Sequence, residues 1–566
     1  MKERTGDHPR ELTFVLQETS GAPRANQHVG FGLPVPKGLL DNRNQIAVSD
    51  SDGRRLPVQT ELLGTYPGGL PRWVFLQFST SLGAQSEKSL KLEFGPTDED
   101  GSALVVVEEG DRICVETGAV SFSLRRAGFS LPNDLTLGST GPILHEPSLG
   151  FRAVKHTSGG TKEFFTGLDR NTELTVVEKG PVRAVVHYSG KHGSRDGSAW
   201  LDYDVWVSAT LDSPIVSLRY RVMNQEENPM DGGSSAGLED PGEEFTTITE
   251  MNLDVRLLTG EGERKLMGGN DSRYETSVEV QDSARLNQLT RNKYRIEGSR
   301  GEELARFWAL GWADICDSSF GLGVSLEDFA HNFPKGITLE PSRIIMDVHP
   351  ASAEPLALAR GESRTHTIHL RPHSPEDPMT ALSGAVSTLE PPSVILPAEW
   401  YGRCGVLGDI FPPKPRKYPI FSILMRQVML PARYGGAYHT LAFENNSDYD
   451  LNHDYFVQYA RTGERNYLRT MMNGTLHTMQ KDFRRCSPGH QDDGAFHVKP
   501  DDDSRYSLQI DHKRVQGLLD RYFFLGDKDA IEIAMQAGEN ALLKLRSGNC
   551  EDMPGPDGWP LLLMCV

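Results

Sequence analysis

The residue types able to move protons or hold an anion gather between positions 438 and 522. Tyr438 and His439 open the stretch, followed by Asn445, Asn446, Tyr449 and Asp450, then Asn452, His453 and Asp454. Further on come His490, Asp492, Asp493, His497 and Tyr506, and the run Asp511-His512-Lys513-Arg514. Histidine is the side chain whose charge changes near neutral pH. Tyrosine and lysine join it as acids or bases where their surroundings shift them. Guanidinium and amide groups bind carboxylates through directed hydrogen bonds. Such a set suits proton transfer beside a negatively charged group. Asp501-Asp502-Asp503 offers oxygen ligands of the kind Ca2+ takes, which makes calcium the one cofactor candidate. The run lacks the alternation of a calcium loop, so an acidic surface loop is the plainer account. No metal-ligand spacing, Gly-rich phosphate loop, GxSxG elbow or HExxH pair is present.

Each candidate also has a purely structural account. His453 could cap the helix that begins beside it, and His512-Lys513-Arg514 could be a solvated helix start. His439 could be a satisfied structural histidine. Tyr459 and Tyr522 recur at equivalent places and read as core.

The elements that must position these residues change character along the chain. With 566 residues, two to four domains are expected. The 56 Gly and 35 Pro punctuate many short strands. Leu12, Phe14 and Leu16 alternate with polar residues, and Trp73–Phe78 and Leu90–Phe94 follow, which predicts a small β-barrel over 1–97. Strands over 104–107, 120–124, 182–188, 203–209 and 215–222 predict a large β-sandwich over 98–390, with Gly232–Glu244 as a loop inside it.

Pro391-Pro392 and Pro397 close the β region, and the apolar spacing turns helical past residue 450. Two segments match there: Tyr459 precedes Gly463-Glu464-Arg465, and Tyr522 precedes Gly526-Asp527-Lys528. Each reads as a helix, a glycine C-cap and a second, antiparallel helix. The second helices carry Leu468, Met471 and Met472, and Ile531, Ala534, Ala537 and Ala541. One such hairpin cannot bury its own apolar face, so the units stack. The expectation for 391–566 is an α/α toroid with too few hairpins to close, its last helix cut short after Trp559-Pro560-Leu561. The fold class is therefore multidomain, β then α.

The net charge of −19 excludes binding of nucleic acid through the overall field. It would also repel a polyanionic substrate at long range, so an acidic sugar needs a local cationic patch. No apolar run is long enough to span a membrane, so no membrane partner is expected. Met1–His8 shows no apolar leader region, which reads as cytoplasmic for the chain as written, although secretion is open for relatives. The six scattered cysteines read as free thiols.

Several short motifs, in order, resemble a known family. Gly30–Gly38, Leu56-Pro57-Val58-Gln59 and Pro71-Arg72-Trp73-Val74 are similar to the N-terminal RIFT barrel of the exo-rhamnogalacturonan lyase and YetA-like family. Val324–Phe329, Phe333-Pro334-Lys335 and Gly361–His366 resemble the end of its central β-sandwich. Tyr449-Asp450, His453 and Gln458–Gly463 resemble the start of its α/α toroid, as do Gly517–Asp520, Tyr522 and Gly526-Asp527.

The resemblance implies β-elimination on an acidic plant polysaccharide. A base removes the C5 proton of a uronate, an acid protonates the sugar leaving on O4, and a cation or amide neutralises the carboxylate. In a toroid the helix ends at one mouth converge on the axis, which would gather the polar residues above. The roles expected are proton transfer for His453, His497, His512, Tyr449 and Tyr506. Substrate binding falls to Arg514, Asn446, His439 and Asp450. The partner expected is an oligo- or polysaccharide containing uronic acid. Two alternatives stay open: a glycoside hydrolase on the same scaffold using Asp450 and Asp493 as its carboxylate pair, and a truncated homologue that binds glycans without turnover.

Overall fold

A computed structural model describes residues 9–95, 104–145, 148–157, 159–226, 245–258, 265–269, 277–280, 283–290, 292–298, 301–305, 309–414, 416–428, 450–487, 490, 493–498, 507–508 and 515–546. Seven helices are described: α1 (Pro378–Leu389), α2 (Ala398–Cys404), α3 (Pro419–Val428), α4 (Leu451–Thr462), α5 (Arg465–His477), α6 (Gln516–Leu525) and α7 (Lys528–Arg546). Before α1 the described elements are strands and one short 3-10 turn, so the order is β then α. The chain divides into two compact units, each drawn from separated segments.

The first unit comprises Met1–Ser102, Pro391–Leu476 and Arg514–Met535. Its alternating N-terminal run forms the strand Glu11–Gln17, with Phe14 and Leu16 buried. That strand pairs antiparallel with Glu87–Phe94 on one side and with Ser393–Ile395 on the other. A second sheet places Pro71–Leu82 between Arg24–Pro34 and Val58–Thr65. Side chains of both sheets share one core with those of the helices, including Phe14, Trp73 and Phe78 from strands and Trp400, Phe456, Tyr459, Met471 and Phe524 from helices. Trp73 stacks on Phe523 with ring centroids 5.2 Å apart, and Phe456 meets Phe524 at 4.9 Å. This close docking of α6 requires Gly32, where an added Cβ would fall 1.6 Å from the Phe523 carbonyl oxygen.

The two hairpins expected from the repeated Tyr–Gly pattern are present. Gly463 ends α4 at φ 69° and Gly526 ends α6 at φ 68°, a left-handed conformation that glycine adopts without steric cost. Their N–H groups donate to the carbonyls of Tyr459 and Tyr522. Tyr459 is buried with its hydroxyl on the Val394 carbonyl, whereas Tyr522 is half-buried with its hydroxyl 3.0 Å from the Leu63 carbonyl.

The second unit comprises Ala103–Glu390, His477–Lys513 and Gln536–Val566. A four-stranded sheet, ordered Asn133–Leu137, Val120–Arg125, Arg112–Glu116, Val105–Glu109, accompanies a seventeen-strand antiparallel assembly running from Phe151–Thr157 to Ser363–His373. The strands expected at 182–188, 203–209 and 215–222 form as Arg183–Gly193, Ala199–Thr210 and Val216–Met223. Val186 pairs with Val207 and Tyr188 with Val205, and all four side chains are buried. Two elements depart from expectation. Helix α1 lies inside the stretch read as strands, started by Pro378 and by the Asp377 carboxylate, which accepts from Met379 N and Thr380 N. Past Pro391-Pro392 a further strand, Ser393–Ile395, forms in the first unit. The loop expected at Gly232–Glu244 and the helix expected near Pro560 lie outside the described residues. No described helix is long and apolar enough to cross a membrane. The described cysteines, Cys114, Cys316, Cys404 and Cys486, are free, Cys316 being buried and the others half-buried; Cys550 and Cys565 lie outside the described residues.

Candidate functional site

Helices α4 and α6 meet at their N-termini, and one carboxylate serves both. Asp450 is the N-cap of α4, held in the left-handed region at φ 45° and ψ 51°. Its carboxylate accepts from His453 N at 3.3 Å and from Gly517 N, the second residue of α6, at 3.2 Å. A helix start has unpaired N–H groups and a positive dipole end, so a buried carboxylate there is electrostatically supported. Burial nevertheless raises the Asp450 pKa, with the Gly517 amide working against the rise. Gly517 is needed for this approach: a Cβ would stand 2.5 Å from Asn452 Cβ and 2.8 Å from Asp450 Oδ1.

Placed by that cap in the first turn of α4, His453 turns its ring toward α6. Its Nδ1 lies 2.6 Å from Asp520 Oδ2. The Asp520 side chain is 10% exposed and that of His453 29%. Burial opposes charge on His453, but the Asp520 hydrogen bond and the charges of Asp520, Asp450 and Asp454 outweigh it and lift the imidazole pKa to about 9. Burial also raises the Asp520 pKa, with the His453 bond offsetting part of the rise. At neutral pH the pair is therefore imidazolium and carboxylate. With Nδ1 engaged, Nε2 has no hydrogen-bond partner among the described residues. The preceding residue, Asn452, is buried, and its Oδ1 has no hydrogen-bond partner among the described residues. The arrangement presents an oriented, charged proton donor.

Two of the residues expected at a site, His453 and Asp450, thus stand together. Asp450 spends its oxygens on backbone amides. Asp493, the other carboxylate weighed for hydrolysis, accepts from Ser487 N and Ser487 Oγ and meets His490 Nδ1 at 2.8 Å. His497 belongs to the strand Ala495–Val498, paired with Leu508, and its side chain lies outside the described residues. His439, Asn446, Tyr449, Tyr506, His512, Arg514 and the Asp501–Asp503 run lie outside the described residues. Among the described residues, no group of three or more His, Cys, Asp or Glu could hold a metal ion. Sequence reasoning missed Asp520 as a partner. Its only signal was its place in the first turns of a helix whose glycine, Gly517, permits close approach.

Two family models match the chain. The PcRGLX-like N-terminal RIFT barrel domain matches residues 13–93, and the PcRGLX-like protein central beta sandwich domain matches residues 104–239. Both fall on the β portions of the architecture described above. The uncharacterized protein YetA of Bacillus subtilis (strain 168) is 22% identical over 175 residues, which is 31% of this chain and 20% of that protein's length. Among solved structures, a protein in glycosyl hydrolase family 38 from Enterococcus faecalis aligns at TM-score 0.38 and 14% identity, over 68% of this chain and 47% of that one. A TPR-domain containing protein from Parabacteroides distasonis aligns at TM-score 0.31 and 10% identity, over 96% of this chain and 77% of that one. At these scores the structural likenesses decide nothing about this chain.

Proposed function

We propose that this chain is a carbohydrate-active protein whose α4–α6 junction carries out proton transfer in β-elimination on a uronic-acid polysaccharide of the rhamnogalacturonan class. The observation that carries the reading is His453, held by buried Asp520 and protonated at neutral pH, with Nε2 unpartnered among the described residues. A cationic imidazole with one nitrogen fixed is suited to protonate the oxygen that leaves from C4. In this reading Tyr449 is the candidate base for the C5 proton; Arg514, Asn446 and His439 are the candidate ligands of the uronate, and Asp450 positions His453. Both matched domains, a RIFT barrel and a central sandwich of the PcRGLX-like type, support the carbohydrate class. Hydrolysis gains no support, because Asp450 and Asp493 are engaged by local hydrogen bonds.

The test is an assay for unsaturated uronate, read by its absorbance, with the full chain and rhamnogalacturonan. Wild type is expected to form the product, and His453→Asn to slow it by about 10²–10⁴-fold, the range for loss of a general acid. A saturated product, no product from wild type, or full activity in His453→Asn would overturn the reading.

A further inference from the structure

The second unit holds a cluster of cationic and imidazole groups that its own fold leaves incompletely answered. Lys335 opens the strand Lys335–Glu340 and is buried; its Nζ donates to the Val348 carbonyl at 2.9 Å and lies 2.7 Å from His366 Nδ1. His366 Nε2 is buried with no hydrogen-bond partner among the described residues. His349, at the end of the strand Arg343–His349, has its Nε2 in the same condition. Arg364 spends Nη1 on the carbonyls of Ser363 and Gln480, at 2.7 and 2.9 Å. Its Nη2 makes no hydrogen bond among the described residues and stands 3.7 Å from Glu362 Oε2. The residues His349, Arg364 and His366 are each about 5% exposed.

These groups feel one another. Burial first, then the charges of Lys335 and Arg364, hold His366 and His349 below the usual imidazole range, His349 at about 4. Lys335 is likewise pushed down, by burial first and also by Arg364, with Asp328 opposing. On the turn Thr478–Asp482, half-buried Lys481 is held at about 8, chiefly by Arg364 and then by burial, with Glu362 and Asp482 opposing. The acids nearby are partly engaged elsewhere. Glu362 Oε2 accepts from Ala359 N at 3.2 Å, Asp482 lies 3.3 Å from His477, and Asp328 lies 3.9 Å from His331.

The unanswered Arg364 Nη2 and His366 Nε2, beside the cationic side chains of Arg364 and Lys481, call for one acceptor-rich, negatively charged group. Neutral hydroxyls or water could take the hydrogen bonds but would leave the crowded positive charge uncompensated. A guanidinium edge with neighbouring imidazole and ammonium donors is a donor set that suits an oxyanion. Such a patch is also unexpected in a chain of net charge −19. We infer that the cluster of Lys335, His349, Arg364, His366 and Lys481 is a binding site for the oxyanion of a small ligand, a carboxylate or a phosphate, entered past half-buried Asn332 and Lys481. Asn332 Nδ2 lies 3.5 Å from His366 Nδ1 and Lys481 is the most exposed of the cations, which makes these two the rim. The inference stands apart from the reading of His453.

The experiment is calorimetric titration of the full chain with galacturonate, with inorganic phosphate and with galactose as the uncharged control. Galacturonate or phosphate should bind and galactose should not. Binding of galacturonate at least tenfold tighter than phosphate assigns a carboxylate ligand; the reverse assigns a phosphorylated one. Arg364→Met should abolish binding, but its burial puts folding at risk, so Lys481→Met at the rim is the deciding variant. It should keep the melting temperature of the unliganded protein and weaken the anion at least tenfold. No binding of either anion, equal binding of galactose, or unchanged anion affinity in Lys481→Met overturns the inference.

Discussion

At the scale of single residues, His453 ties pH to stability. Its folded pKa of about 9 lies above the ordinary imidazole value near 6.5. A group raised in this way contributes stability that is full below its unfolded pKa and is lost as pH rises through its folded one. Asp520 follows the same sign at lower pH: burial raises its pKa to about 6, so its ionisation costs stability from its unfolded value near 3.9 up through that folded value, a cost that the charge on His453 partly offsets. Asp520→Asn should therefore destabilise the protein by about 1.5–3 kcal/mol at pH 7, the worth of a hydrogen bond to a charged group. The deficit should shrink as pH approaches 10, where His453 is neutral in wild type. Urea unfolding at pH 7, 8.5 and 10 reads the difference, and a deficit that stays constant or grows with pH would remove the ion pair from the account. Spacing in the chain hinted at half of this pair. A histidine three residues after an aspartate at a helix start, Asp450 to His453, is readable as cap and first turn. Nothing local to Asp520 announces its partner, because that distance is set by how α4 and α6 cross.

Between elements, the crossing itself depends on Gly517. Alanine normally favours a helix over glycine by about 1 kcal/mol. Here Gly517→Ala should instead cost about 1–3 kcal/mol, since its methyl would overlap Asn452 Cβ and crowd Asp450 Oδ1. A lowered urea midpoint with an unchanged slope is the expected result; a stabilised protein would show that the helices part easily. The hairpins were legible because Tyr–x–x–x–Gly records a carbonyl-to-glycine cap, an interaction contained within five residues. Runs rich in β-branched and aromatic residues likewise marked some strands of the sandwich, such as Arg183–Gly193, Ala199–Thr210 and Val216–Met223. Helix α1 was hidden by its strand-rich surroundings, although Asp377-Pro378 is a helix start by chemistry. Ser393–Ile395 is too short to show any period, and its partner, Glu11–Gln17, lies far from it in the sequence.

For the whole molecule, the charge of −19 sets how an acidic glycan would be met. Long-range repulsion between like charges weakens as salt shortens the Debye length, from about 30 Å at 0.01 M to about 10 Å at 0.1 M. Under the proposed function, kcat/KM on an acidic polysaccharide should rise over that range, and on a neutral one stay flat. A fall with salt would mean that local cations dominate the encounter instead. The pairing of Glu11–Gln17 with Ser393–Ile395, and of Trp73 with Phe523, has another consequence, for synthesis. The leading strand leaves the ribosome hundreds of residues ahead of the segments that cover it. Translation must run past α6 before the first unit can close, and until then one strand edge and an aromatic face stand open to whatever else in the cell binds unfinished protein.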